Sequence, residues 1–158
     1  MAAATAKLDR IDRLILDILQ RDARTTNAAL AEAASLSESA CLRRVRALEA
    51  SGLISGYGAR IDQEKAGLPV NVFVSITLGR QDQADLQAFE RAVRAIPEVM
   101  ECYLMTGDFD YLVRIVVADT ADFERVHSQQ LTRLPGVARV HSSFALRAVT
   151  RVQVLPIR

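Results

Sequence analysis

Apolar residues recur at helical spacing near the start of the chain. These residues are Leu8, Ile11, Ile15, Ile18 and Leu19, and aspartate and arginine residues lie between them. The pattern predicts an amphipathic helix over about 9–21, whose apolar stripe must pack against another element.

Two shorter helical segments follow the first. Thr25 and Thr26 offer N-caps to the Ala-rich stretch NAALAEAA, and Ser37 offers one to a third helix. This third helix is predicted to run to about Ser51 and to stop at Gly52. Because only three residues separate the second and third helices, the arrangement is typical of a helix-turn-helix.

The stretch LISGYGARID after the third helix alternates in character and contains two glycines. It predicts a short strand or wing that leads into a linker. We place that linker at 62–69, between an N-terminal domain at 1–61 and a C-terminal domain at 70–158.

The second half of the chain has a different rhythm, and this rhythm repeats. Strand-like runs at 70–78 and 111–117 are each followed by a helical segment, at 85–96 and at 120–134, the latter with Thr120 as its predicted cap. The tags IPEV and LPGV each end a helix and lead into a further strand. Two β-α-β units in tandem predict a βαββαβ ferredoxin-like sandwich, so the whole chain is expected to be α+β.

The third helix has one face of small residues edged by arginine. At 100° per residue, Cys41, Leu42, Val45 and Leu48 are predicted to face the other helices, whereas Arg43 points almost the opposite way. Small side chains allow close approach to a DNA groove, and arginine can bind phosphate or guanine. A solvated helix face is the alternative. The predicted DNA-binding residues are Ser37, Ser39, Ala40, Arg43, Arg44 and Arg46.

The loop TGDFDY places two carboxylates, Asp108 and Asp110, between strand-like runs. A catalytic pair, a metal site, a hairpin turn and a ligand-binding loop all fit the local sequence. His127 and His141 have no metal-motif spacing, and we find no catalytic set, so neither an enzyme nor a metal or cofactor site is expected. Gly-Asp is ordinary hairpin chemistry, but a hairpin requires neither Asp110 nor the tyrosine after it.

Composition and charge narrow the classes of protein. The 158 residues are half hydrophobic and carry a net charge of +1, so no strong overall field favours nucleic acid or membrane. No apolar run is long enough to cross a bilayer, and no signal peptide is evident, which favours a soluble cytoplasmic protein without a membrane partner. The two cysteines are expected to be buried free thiols.

Four segments, LDRIDRLILDILQRDAR, LSESACLRRVRALEASGLISGY, GDFDYLV and LPGV, occur in order between about residues 8 and 150. Together they resemble the Lrp/AsnC family of transcription regulators. The resemblance implies an N-terminal winged helix-turn-helix that binds double-stranded DNA. It also implies a C-terminal ferredoxin-like domain that dimerises and assembles dimers into octamers or other even-numbered oligomers. Glu38, a carboxylate early in the recognition helix, departs from the expected pattern and bears on base preference.

The resemblance further implies a small effector, an amino acid, bound by the glycine-acid loop between dimers. Carried over by match, the effector-binding residues are Thr106, Gly107, Asp108, Asp110, Ser143 and Phe144. Replacing Asp110 by alanine is then expected to abolish stabilisation by the effector. The alternative function is an amino-acid-sensing regulatory subunit that does not bind DNA, which the N-terminal third argues against.

Overall fold

The computed structural model describes residues 8–150 and 154–157. The chain forms two compact units, and the boundary differs from the expected one at the C-terminus. Residues 61–149 form one unit, and residues 8–60 together with 150 and 154–157 form the other. Residues 154–157 therefore belong with the N-terminal helices and not with the sheet.

The three predicted helices of the N-terminal unit are confirmed. They are α1 (Arg10–Arg21), α2 (Asn27–Ala34) and α3 (Glu38–Ala50). Asp9 begins α1 with a capping box, and the hydroxyls of Thr26 and Ser37 accept from the backbone amides of Ala29 and Ala40. The shared core of the three helices consists of Ile15, Leu16, Leu30, Ala31, Cys41 and Leu48.

The turn between α2 and α3 depends on a left-handed residue. Ser35 ends α2 at φ 54° and ψ 45°, and the amide of Leu36 donates to the carbonyl of Ala31 at 2.8 Å. A residue with a Cβ atom adopts this conformation at a cost of about 1–2 kcal/mol. The turn that positions α3 therefore includes one residue in an unfavourable backbone conformation.

We expect Ser35→Gly to raise the free energy of unfolding of the helical unit by about 0.5–1 kcal/mol. Glycine adopts the left-handed conformation without the steric cost that a Cβ atom imposes. Part of this stabilisation is offset because glycine makes the unfolded chain more flexible, which raises its conformational entropy. Urea unfolding followed by circular dichroism measures the change. Ser35→Ala, which keeps the Cβ atom, is the control and should give no gain.

The segment after α3 forms turns and extended chain. No strand occurs over 51–69, all of which the structure describes, so the short strand predicted there is not observed. Gly52 takes φ 76° directly after α3, and the Tyr57 hydroxyl donates to Glu49 at 2.8 Å, which folds this segment back on the helix.

The second unit has the predicted βαββαβ order. It contains β1 (Val70–Leu78), α4 (Gln83–Val93), β2 (Val99–Leu104), β3 (Tyr111–Val117), α5 (Thr120–Gln129) and β4 (Val137–Phe144). The strands form one antiparallel sheet in the order β2-β3-β1-β4. The α+β ferredoxin-like prediction is confirmed. The predicted cap of α5 is wrong, because Asp119 and not Thr120 accepts from the amide of Asp122.

The two faces of the sheet differ in character. Alternate residues of β1 and β3, including Val74 and Val113, lie in the core with Phe89 of α4 and Phe123 of α5. The opposite face carries the partly exposed Phe73. Successive side chains of a strand point to opposite faces of the sheet. One face therefore packs against α4 and α5, and we call the other, which carries Phe73, the open face.

Polar groups also occupy the open face. Arg114 of β3 donates to Glu101 of β2 at 2.9 Å and to Asn71 of β1 at 3.0 Å, which ties three strands together. Apolar and aromatic side chains also lie on the open face, among them Phe73 and Tyr103. The face is thus mixed, neither fully apolar nor fully charged.

Candidate nucleic-acid interface and acidic loop

The helix α3 presents arginine on its exposed side. Arg43 and Arg46 are exposed, as is Ser39 one turn earlier, whereas Cys41 and Leu48 are buried against the other helices. This orientation is the one predicted from the helical period. Leu42 is a partial exception, because it lies at the margin of the apolar arc and is 38% exposed. The exposed surface therefore has an apolar edge beside the arginines.

Ser37 and Ser39 sit at the N-terminus of α3. The Ser37 hydroxyl caps the helix at 3.3 Å from the amide of Ala40 and lies 3.2 Å from the Ser39 hydroxyl. Ala40 itself is half-buried. A helix N-terminus has unpaired amides and a partial positive charge, which favour a nearby anion such as a phosphate.

Glu38 occupies the first turn of α3 and is exposed. Its backbone carbonyl accepts from the side-chain amide of Asn27 at 2.9 Å, which fixes the start of α3 against α2. The carboxylate lies beside the helix N-terminus that would face DNA, so it disfavours a phosphate at this position and restricts which contacts α3 can make.

Arg44 has a different environment from its arginine neighbours. Its Nη1 atom donates to the carboxylate of Asp9 at 2.7 Å and to that of Asp12 at 2.8 Å. Both acids lie at the start of α1, so the contact joins the first and third helices. Arg44 therefore orients the recognition helix through α1, and the two carboxylates offset its attraction for phosphate.

The contact between Arg44 and the two carboxylates shifts the pKa values of Asp9 and Arg44. The backbone amide of Asp12, and then the Arg44 guanidinium, hold the pKa of Asp9 below its usual value. The same two carboxylates raise the pKa of Arg44, with Asp9 contributing most. Sequence periodicity missed this pairing, since Arg44 lies 35 positions from Asp9 and 32 positions from Asp12 along the chain.

We expect the Arg44 pairing to appear as acid sensitivity of the helical unit. Asp9 stays ionised in the folded state to a lower pH than in the unfolded chain, where an aspartate titrates near 3.8. Its contribution is thus complete above that value and is lost as pH falls through the lowered folded pKa. As pH falls below about 4, urea unfolding should show a smaller loss of stability in Arg44→Gln than in wild type. Arg43→Gln, with an exposed side chain, should follow wild type.

The two carboxylates of the acidic loop differ in exposure. Thr106, Gly107 and Asp108 are exposed, and Gly107 takes φ 123°, a conformation that side chains rarely adopt. Asp110 is only 8% exposed. The two carboxylates therefore have different environments, with Asp110 held inside the fold and Asp108 in contact with solvent.

Asp110 is held by the end of the first strand. One carboxylate oxygen accepts from the amide of Leu78 at 2.7 Å, and the other accepts from the side-chain amide of Gln81 at 2.6 Å. The backbone amide of Asp110 also donates to the carbonyl of Ile76 at 2.9 Å. Asp110 therefore anchors the acidic loop to the β1–α4 connection. Gln81, its partner, carried no signal in the sequence.

Tyr111 is explained by the core. It is fully buried, its hydroxyl donates to Glu90 of α4 at 3.1 Å, and its ring stacks on Phe89 with centroids 4.3 Å apart. Burial, reinforced by Glu90, raises the pKa of Tyr111. The buried pair Asp110 and Tyr111 thus fixes the start of β3, whereas Thr106, Gly107 and Asp108 are exposed.

Ser143 and Phe144 are not brought to the loop within one chain. They are adjacent on β4, so their side chains point to opposite faces of the sheet. Phe144 packs edge-on against Phe123 of α5, with centroids 5.1 Å apart, and Ser143 pairs with Phe73. Since β3 begins opposite Ile76, three positions farther along β1, the two sites are separated by roughly 10 Å or more.

Two features are absent from residues 8–150 and 154–157, the part of the chain that the structure describes. This part of the chain holds no cluster of histidine, cysteine and acidic side chains suited to a metal ion, and none of its helices could span a bilayer. Cys41 is buried and Cys102 is half-buried, both as free thiols. Desolvation raises the pKa of Cys102 to about 11, so this thiol is not activated as a nucleophile.

Family models match both units of the chain. A winged helix-turn-helix DNA-binding model matches residues 8–55, and the Lrp/AsnC ligand-binding domain model matches residues 71–155. The second match alone spans more than half of the 158 residues.

Curated relatives and solved structures match over almost the whole chain. The Bkd operon transcriptional regulator of Pseudomonas aeruginosa is 44% identical, over 91% of this chain and 94% of its own length. The leucine-responsive regulatory protein of Escherichia coli is 39% identical, over 96% of this chain and 92% of its own length. A Neisseria meningitidis transcriptional regulator in complex with L-Met superposes with a TM-score of 0.89 at 34% identity, covering 94% of this chain and 96% of its own. An AsnC-family regulator from Agrobacterium tumefaciens superposes with a TM-score of 0.90 at 37% identity. The match covers 94% of this chain and 97% of the other.

Proposed function

Because the chain belongs to the Lrp/AsnC family of DNA-binding transcriptional regulators, we propose that its α3 helix reads operator DNA and that an amino acid modulates the binding. The observation that carries the first part is the exposed α3 surface, with Arg43 and Arg46 outward and Ser39 at the helix start. The buried face of α3 and the Arg44 contact hold this surface in place. A helix presented in this way fits the major groove with its N-terminus leading.

A dimer of this chain would place two α3 helices against the two half-sites of a DNA site. The open sheet face offers apolar and aromatic contact through Phe73 and Tyr103 beside the polar set around Arg114. Two copies of one face pack symmetrically when the contact is isologous, and the two recognition helices then meet half-sites related by the same two-fold axis. We propose a homodimer formed through this face, which assembles further into octamers or another even-numbered oligomer.

The acidic loop supports the second part of the proposal. The exposed carboxylate of Asp108 suits an α-ammonium group, and backbone amides near Gly107 suit an α-carboxylate. A related regulator has been solved with L-Met, an amino acid of this chemistry. We assign ligand contact to Thr106, Gly107 and Asp108, and assign Asp110 to holding their loop. Ser143 and Phe144 contribute only if a neighbouring copy brings them to the loop.

The alternative of a sensor without DNA function lacks an observation in its favour, since the relatives are transcriptional regulators over nearly their whole length. We propose that the chain acts by binding, without catalysis, and that it works in the cytoplasm, where its DNA lies. Its effector shifts the affinity between binding states by about 1–3 kcal/mol.

Fluorescence anisotropy with the protein's own upstream DNA tests the proposal. Wild type should bind this duplex more tightly than a scrambled duplex of equal length, with affinity falling steeply as salt rises. Light scattering on the same sample should give an even number of chains. Failure to bind at low salt, together with thermal stabilisation by an amino acid, would favour the sensor function.

A further inference from the structure

The last described residues of the chain lie on the first helix. The side-chain amide of Gln20 contacts the backbone of Leu155 twice: its oxygen accepts from the Leu155 amide at 2.7 Å, and its nitrogen donates to the Leu155 carbonyl at 3.4 Å. A glutamine amide that pairs with both polar groups of one residue recognises the backbone of an extended peptide.

The peptide is shaped by its own turn. The amide of Ile157 donates to the carbonyl of Leu155 at 2.9 Å, across Pro156. This is a three-residue turn, which proline favours at its centre because its ring fixes φ near −65°. The turn directs Ile157 towards the helical core, against which it packs, while the side chain of Leu155 is 72% exposed.

The matching face of α1 is a shallow groove. Its lining on the helix consists of Arg13, Leu14, Asp17, Gln20 and Arg21. These positions recur at three- and four-residue spacing, so they share one side of α1, away from the buried Ile15. Arg21 and Asp17 form an ion pair at 2.9 Å on this side. The peptide thus covers a part of α1 that the other two helices leave open.

We infer that residues 154–157 are a docking peptide that clamps α1 of the DNA-binding unit. The chain leaves this unit after Arg60, builds the sheet unit and returns before the docking peptide, so the two units are joined by two lengths of chain. Since the start of α1 holds α3 through Arg44, the clamp supports the recognition helix. The docking peptide follows β4 by nine residues.

Hydrogen exchange in the full-length protein tests the docking. In wild type, the Leu155 amide is expected to exchange at least 10-fold more slowly than in Gln20→Ala and in Ile157→Ser. The double variant should exchange no faster than the quicker single variant, because either change alone releases the peptide. Leu155→Ser is the matched control and should keep the protection, since the helix contacts the backbone of Leu155. Unprotected exchange in wild type, or protection unchanged by Gln20→Ala, would overturn the inference.

The melting temperature gives a second readout that separates docking from helix propensity. Alanine is the better helix former, so Gln20→Ala without a docked peptide would leave the melting temperature equal or higher. We expect it to fall instead. A melting temperature that stays the same or rises would count against the clamp.

Cross-linking identifies which copy supplies the peptide. A photoreactive residue in place of the exposed Leu155, in an equal mixture of 15N-labelled and unlabelled chains, should join fragments that carry the same label. Fragments of mixed label would assign the groove to the tail of a second copy and overturn the intrachain clamp.

The consequence for DNA rests on the proposed function, whereas the docking does not. Gln20→Ala should weaken operator binding several-fold, and Leu155→Ser should leave it unchanged. If wild type binds no DNA but Gln20→Ala abolishes the exchange protection, the proposed function fails and the clamp stands. If operator binding is normal and the protection is absent, the clamp fails alone.

Discussion

Arg43→Ala is expected to weaken binding to operator DNA by about 10- to 100-fold. A bidentate arginine–guanine contact discriminates by about 1–3 kcal/mol, and Arg43 is the arginine that points most directly away from the helical core. The side chain is exposed, so its loss leaves the helix and the core intact. Anisotropy titrations against specific and scrambled duplexes measure the effect, and circular dichroism confirms the fold.

The two duplexes separate base reading from phosphate contact. If Arg43 reads a base, specific binding falls and scrambled binding changes little. If Arg43 contacts only phosphate, both fall together and the salt slope drops by about 1. Arg91→Ala is the control, because it removes the same charge from an exposed position on α4 in the other unit. An Arg43→Ala affinity equal to that of Arg91→Ala would remove Arg43 from the interface.

The helices and strands of this protein were predictable because each carries a local signal. The caps Thr26 and Ser37 and the alternating pattern of β1 are readable over a few residues, and they recur in the structure. The Lrp/AsnC resemblance rested on segments distributed along the chain, so it predicted the order of the units correctly.

The contacts that sequence reasoning missed are long-range contacts of polar side chains. Arg44 reads as one more exposed arginine until Asp9 and Asp12 are brought beside it. The tail was assigned to the sheet domain, because nothing in the residues 154–157 indicates that Gln20 will bind them. Partners of this kind are chosen by the tertiary fold, and neither periodicity nor propensity encodes them.

The acidic loop shows the same limit within six residues. The sequence treats Asp108 and Asp110 as equivalent, and both were predicted to contact the effector. Burial separates them: Asp110 meets the amide of Leu78 and the side chain of Gln81, and Asp108 meets solvent. Their roles are therefore expected to be opposite, one in stability and one in binding.

Asp110→Ala is expected to lower the free energy of unfolding of the sheet unit by about 2–3 kcal/mol. The change leaves the buried Leu78 amide without its acceptor, and an unsatisfied buried donor costs about 1–3 kcal/mol. It also frees Gln81, so the loop loses its link to the end of β1. Asp110→Asn, which keeps one acceptor oxygen, should lie between alanine and wild type. Urea unfolding measures all three proteins.

Asp108→Ala supplies the matched change at the exposed carboxylate. It should alter the free energy of unfolding by no more than about 0.5 kcal/mol, since the side chain is solvated. It should instead abolish the thermal stabilisation given by whichever of the twenty amino acids stabilises wild type most, because a ligand that is no longer bound contributes nothing to the folded state. Equal losses of stability in Asp108→Ala and Asp110→Ala would contradict this division. So would an Asp108→Ala protein that the amino acid still stabilises fully, because the ligand contact would then have to lie elsewhere in the loop.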